Sequence, residues 1–261
     1  MTKLTTCLVV LFMFLGAGYA GAREVITVRV AEFSPNYFKD DAGNWTGLSV
    51  ELAEAIIKTA GYEPKFLELP WSRAMHYIEN TGELQYMTNL HETDERSEFL
   101  HWIGPIRTDK MVLIVHRDNK SFPITSLDDM VTVCKKENRR FGLQKDISST
   151  DAFTQRLNDD PEFRECFETV FDVNQNILKT EHKRILGFFE NVTMMRYRVQ
   201  TDPAYASLAV HSFVLKSGEM FHGLSKKGVS PEMLMKLQAG YAQCVENGTI
   251  QRILKKWNAQ Q

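Results

Sequence analysis

Between residues 25 and 90 the hydrophobic period switches back and forth between two and 3.6, and this alternation restricts the fold more than any other feature. Residues 25–31 (VITVRVA) form a compact β-branched run and read as a strand. Residues 36–47 are rich in Asp, Asn and Gly and read as a loop or hairpin. Residues 48–60 place Leu48, Leu52, Ala55 and Ile56 on one helical face and stop at Gly61, a residue suited to the turn beyond a helix end. The pattern then repeats, with a strand at 64–69, a helix at 71–79 through Trp71, Ala74, Met75 and Ile78, Gly82 beyond it, and a short strand at 86–90. Strand–helix–strand–helix–strand order calls for a parallel α/β sheet.

Composition and pattern change near residue 116. Residues 110–116 (KMVLIVH) read as an apolar strand running into a polar stretch at 117–121, and 205–215 form a second long apolar strand. Two crossings between lobes are expected there: residues 23–115 and 212–261 make lobe 1, and residues 116–211 make lobe 2. Within lobe 2, Ser126 caps a short helix at 127–130, followed by a strand at 131–134. Helices are expected at 148–157, 161–166 and 174–181, with extended segments at 167–171 and 185–191. Near the end, Ser230, Pro231 and Glu232 supply a cap, a first-position proline and a first-turn acid for a helix that runs to about residue 246. Gly248 stops it, and Ile250, Ile253, Leu254 and Trp257 mark a last helix.

The chain has 261 residues, is 43% hydrophobic and 25% charged, and carries a net charge of −2. That suits a globular protein of one large or two medium domains, and the near-balance of charge argues against a nucleic-acid partner. Residues 1–22 stand apart: Lys3, an apolar run at 8–15 (LVVLFMFL) and Ala20-Gly21-Ala22 read as a secretory signal peptide, too short to span a bilayer. Cys7 lies inside the apolar run and no Cys follows the small residues, so the mature chain is expected to start at Arg23 without a lipid anchor. Of the remaining cysteines, Cys134 and Cys166 fall in one expected lobe and are the expected disulfide, while Cys244 reads as a buried free thiol. Their spacing matches no zinc pattern.

The stretches GNWTGLSVELAEAI (43–56), LPWSRAMHYIENTGEL (69–84), LHETDERSEFLHWIGPI (90–106), SLDDM (126–130) and AGYAQCVENGTIQRILKKW (239–257) occur in an order and spacing that resembles the periplasmic solute-binding proteins of family 3. These are the polar-amino-acid-binding proteins associated with ABC importers, and the resemblance covers essentially the whole mature chain. It implies two α/β lobes, each a mostly parallel sheet flanked by helices, joined by two crossover strands and closing on a ligand. The family's T-x-x-R element matches Thr93-Asp94-Glu95-Arg96, so the resemblance makes Arg96 the group that grips a ligand carboxylate. It places further ligand contacts at Asn89 and His91, a packing aromatic at Phe33 or Tyr37, and the second-lobe acid at about Asn191, beside Glu190. The chain departs from the family at Thr88, Asn89 and His91, at Gly82-Glu83-Leu84-Gln85, and at Lys135-Lys136-Glu137-Asn138-Arg139-Arg140. That last basic cluster suits a more acidic ligand or is simply surface.

Each of these residues has a plainer reading. HETDE (91–95) lacks the second His of a zinc-protease motif, so no metal or cofactor is expected. Thr93 with Asp94 and Glu95 fits a helix cap, but Arg96 early in a helix wants an anion facing it. Trp71 and Arg73, at a strand-to-helix junction, line a cleft or, respectively, fill a core and pair with an acid. Phe33 carries the same two readings. Arg139 or Arg140 faces the cleft or is solvated, and Glu190 binds a ligand amine or forms a structural ion pair. The expected function is a monomeric binder of a small charged or polar solute, partnered by a membrane importer or sensor. The alternatives are an orphan ligand sensor and a periplasmic dehydratase or lyase on the same scaffold, which would need an acid–base pair such as Glu190 with His91.

Overall fold

The computed structural model describes residues 24–260 except Asp146 and Ser148. The expected signal peptide lies outside the described residues.

The first half follows the alternating pattern closely. Strand β1 (Val25–Val30) leads through a small hairpin, β2 (Phe38–Lys39) and β3 (Trp45–Thr46), to helix α1 (Leu48–Thr59). Then come β4 (Glu63–Glu68), α2 (Trp71–His76) with a π-type turn at Tyr77–Thr81, β5 (Tyr86–Leu90) and the one-turn α3 (Asp94–Ser97). Gly82 ends the π turn at φ 74°, and a Cβ there would meet the Gly228 backbone at 2.8 Å, so no other residue fits without a shift.

Two long strands tie the molecule together. β6 (Leu100–His116) and β10 (Leu208–Ser225) pair antiparallel from Leu208 opposite His116 to Ser225 opposite Leu100. β6 begins well before the expected residue 110. Gly104-Pro105 looks like a breaker in the sequence, yet Pro105 falls where the register with β10 shifts, between Met220 and His222. There a missing N–H costs no ladder bond.

Between these strands lie α4 (Leu127–Glu137), β7 (Phe141–Gln144), α5 (Asp151–Asp159), α6 (Pro161–Glu165), β8 (Phe167–Val170), α7 (Val173–Glu181), β9 (Gly187–Asn191) and α8 (Val192–Thr201). The helices α9 (Pro231–Glu246) and α10 (Thr249–Lys256) complete the chain. The expected strand at 131–134 is instead the middle of α4. Ser126 and Asp129 form a reciprocal capping box there, and Met130, Val133 and Cys134 are buried at helical spacing. Burial on a 3.6 period overrode the β-branched Val-Thr-Val.

The sheet order is β4-β1-β5-β10-β6-β9-β7-β8, parallel at both ends and antiparallel through β10 and β6. This makes two α/β lobes. In one, Ile26, Val28, Leu52, Ile56, Leu237 and Leu254 pack β1 against α1, α9 and α10. In the other, the rings of Phe153, Phe163, Phe167 and Phe189 meet at centroid separations of 4.9–5.7 Å. The Cys134–Cys166 disulfide borders that cluster, with Cα atoms 5.8 Å apart, and Cys244 is a buried free thiol. No described helix is long and apolar enough to cross a membrane.

Candidate functional site

Ligands in open α/β sheets gather where strands end, because the side chains of successive loops converge there. Here the ends of β1, β4 and β5 surround a pocket of about 310 Å³ lined by Arg29, Phe33, Tyr37, Trp71, Thr88 and Asn89. Phe33 and Trp71 are 46% and 45% exposed, so both present ring area to this space rather than filling a core. Tyr37 differs. It is buried, its phenol lies 2.5 Å from the Thr88 hydroxyl, and burial pushes its pKa up, so it floors the pocket as a neutral group.

Two guanidinium groups meet Trp71. The Cζ atoms of Arg29 and Arg96 each lie 5.7 Å from a Trp71 ring centroid. Arg96 donates from Nη1 to the carbonyl of His91 at 2.9 Å, and its own N–H is capped by Thr93 at 3.3 Å. Arg29 donates from Nε to the carbonyl of Leu69 at 3.2 Å. Neither has a carboxylate partner among the described residues. Each carries five N–H groups in a planar fork, so most donors remain for an anion approaching edge-on. Arg73 is exposed on α2 and has no partner among the described residues.

A polar chain leads away from the pocket. Asn89, in the left-handed region at φ 64°, accepts at Oδ1 from Arg107 Nη2 at 2.7 Å. Arg107 Nη1 meets Asp109 Oδ1 at 2.9 Å, and Asp109 Oδ2 accepts from Asn191 Nδ2 at 2.6 Å. Asn191 Oδ1 then caps α8, accepting from the N–H groups of Thr193 and Met194 at 2.9 and 3.1 Å. The side chains of Asn89 and Asn191 are therefore engaged with the protein itself. His91 is exposed, donating from Nδ1 to the carbonyl of Glu219 at 3.1 Å, and lines a small pocket of about 90 Å³ with Asp109, Met111, Lys216 and Gly218.

Two other expected site residues are engaged with the protein itself. Glu190 is largely buried, 3.9 Å from Arg198 Nη1, and accepts from the N–H of Asn191 at 2.7 Å. Burial raises its pKa, and the Arg198 charge opposes that shift. Arg139 donates to the carbonyl of Lys183 at 2.9 Å and to Glu137 at 3.3 Å. It precedes β7, at the opposite end of that strand from the cleft, because the strand expected before it is α4. Beyond the carboxyl end of β7, Thr150 caps α5 and Ser149 bonds Thr154 at 2.9 Å. Sequence reasoning missed Arg29, Arg107 and Asp109. A lone cation inside the apolar run VITVRV was the available signal for Arg29. Among the described residues no three His, Cys, Asp or Glu side chains converge as a metal site would require.

The description of bacterial extracellular solute-binding proteins, family 3, matches residues 26–260. The chain belongs to that family. Solved structures share its fold at low identity. Substrate binding domain 2 of Lactococcus lactis GlnP, in an open conformation, superposes with TM-score 0.70 at 19% identity, covering 90% of this chain and 95% of that one. The ancestral amino acid-binding protein AncCDT-1, described as a precursor of cyclohexadienyl dehydratase, gives TM-score 0.61 at 20% identity over 89% and 95%. A probable histidine-binding protein of Neisseria gonorrhoeae is 28% identical over 109 residues, which are 42% of this chain and 38% of that protein. This family 3 protein thus spans well under half of that relative.

Proposed function

We propose that the protein captures a small solute bearing a carboxylate, an amino acid or a close relative, between its two lobes in the periplasm and delivers it to an ABC importer. The observation that carries this reading is the pair of guanidinium groups at Trp71, with open donor forks and the exposed Phe33 ring on the same pocket. Arg96 takes the carboxylate in bidentate fashion, Arg29 supports it, and Trp71 and Phe33 pack the ligand's apolar part. Arg73 and His91 stand at the edges. In this reading the lobes exchange chain at 108–110 and 216–218, a few residues from the expected boundaries at 115 and 212, a choice supported by β6 pairing with β9 only from Met111 onward. Closure about these segments follows if the ligand prefers the closed state.

A calorimetric panel of amino acids, small dicarboxylates, amines and aromatic acids tests this reading. Saturable binding of a carboxylate-bearing member without chemical change supports it, and binding of amines alone rejects it. The second reading is a lyase or dehydratase, prompted by AncCDT-1, an amino acid-binding protein of this fold described as the precursor of a dehydratase. The bound ligand converted to product in NMR spectra would establish that reading instead.

A further inference from the structure

The chain from Asn89 through Arg107 and Asp109 to Asn191 begins at the wall of the lobe 1 pocket and ends on the first turn of α8 in lobe 2. We propose that Arg107 and Asp109 are positioning residues that fix how the two halves of the cleft face each other. Neither needs to touch the ligand.

Three observations carry this. First, the Arg107 side chain is only 4% exposed, and a buried guanidinium is held only where its donors are met. It meets them with one group from each direction, Asn89 on β5 and Asp109 on its own strand. Second, both ends of the chain are conformationally special. Asn89 holds a positive φ, and Asn191 uses both halves of its amide, Nδ2 toward Asp109 and Oδ1 toward the α8 cap. Third, Arg107 and Asp109 sit at and just before the point where β6 leaves one lobe's sheet and joins the other's, pairing with β9 from Met111. A rotation of the lobes there must lengthen at least one of these bonds. Charge-assisted bonds of this kind weaken steeply with length and angle.

A merely local role for each residue would lower stability but leave the lobes oriented as before, so orientation is the deciding measurement. Residual dipolar couplings on the free protein compare wild type with Asp109→Asn, which removes the ion pair. They also cover Asn191→Asp, which keeps a good helix cap but sets a second carboxylate against Asp109. Should one variant fail to fold, the other carries the test. Phe38, Tyr197 and Trp257 also join the halves, with ring centroids 5.8–6.2 Å apart, so each variant is measured in the Trp257→Ala background as well.

The expected result is that each lobe of the variants keeps its internal couplings while the two lobes no longer share the wild-type relative orientation. Unchanged relative orientation in both backgrounds overturns the proposal. A second arm rests on the solute-binding reading: affinity for whichever carboxylate binds wild type should fall by about tenfold, because a less ordered cleft must be ordered on binding. If nothing in the panel binds wild type, that reading fails while the orientation measurement still decides this one. Couplings that separate without any loss of affinity would overturn the claim that the strut serves the cleft.

Discussion

Arg96 and Trp71 meet with the guanidinium carbon 5.7 Å from a ring centroid, one on the single turn of α3 and the other at the start of α2. The ring orients the cation without neutralising it. Arg96→Ala should weaken carboxylate binding by about ten- to a hundredfold, the range for losing charge-assisted hydrogen bonds. Arg96→Lys should recover only part of the loss, because an ammonium cannot reproduce the fork. Titration calorimetry reads both, and equal affinity for Arg96→Ala and wild type would remove Arg96 from the site.

Trp71→Ala removes the surface on which both Arg29 and Arg96 lie. With nearly half the ring exposed, stability should change little, while affinity should drop by about fivefold or more from the two lost cation–π contacts. A large fall in melting temperature without an affinity change would return Trp71 to the core.

The disulfide closes a loop of 32 positions between Cys134 and Cys166. Loop-closure entropy of that size is worth about 3–4 kcal/mol. The double variant Cys134→Ser/Cys166→Ser should unfold at a correspondingly lower urea midpoint, and a reductant should produce the same loss in wild type. A midpoint that ignores both changes would show that the bridge contributes nothing.

His222 supplies a pH dependence with a definite sign. Its Nδ1 lies 2.7 Å from the Tyr86 phenol in the lobe 1 core. Burial, with the nearby Arg107 charge, lowers its pKa from 6.5 to about 3. Between those values the unfolded chain binds a proton that the folded one refuses. Stability from this group is therefore complete above about pH 6.5 and is lost on acidification toward pH 3, at no more than about 1.4 kcal/mol per pH unit. His222→Gln should flatten that part of the curve in urea titrations run across pH, and an unaltered slope would show that other groups cause it.

How much of this was readable beforehand depended on how local the deciding physics was. α9 was legible because cap, first-position proline and stop signals all agreed, at Ser230-Pro231 and Gly248. α4 was misread because Val-Thr-Val favours a strand locally, while the burial of Met130 and Cys134 against the phenylalanine cluster is a tertiary fact. The start of β6 was hidden by Gly104-Pro105, whose tolerance depends on a register shift in β10. At the site, Arg96 was visible through the resemblance. Asn89 and Asn191 were visible too, but not that Arg107 and Asp109 would occupy their side chains. Those partners arrive through a strand pairing that no spacing along the chain encodes.

β6 and β10 also constrain how such a protein can change. Both lobes hang from the same antiparallel ribbon, and along a strand successive side chains face opposite ways. Deleting one residue within 107–111, where every residue is paired in register, would flip every later side chain of β6 relative to β10, turning one lobe's inner face outward. Single-residue indels should therefore be absorbed only where the pairing already slips, between Val210 and Val214, between Val214 and Lys216, or between Met220 and His222. Loops elsewhere can vary freely, whereas the ribbon can be rewritten only by substitution or by changes of two residues at a time.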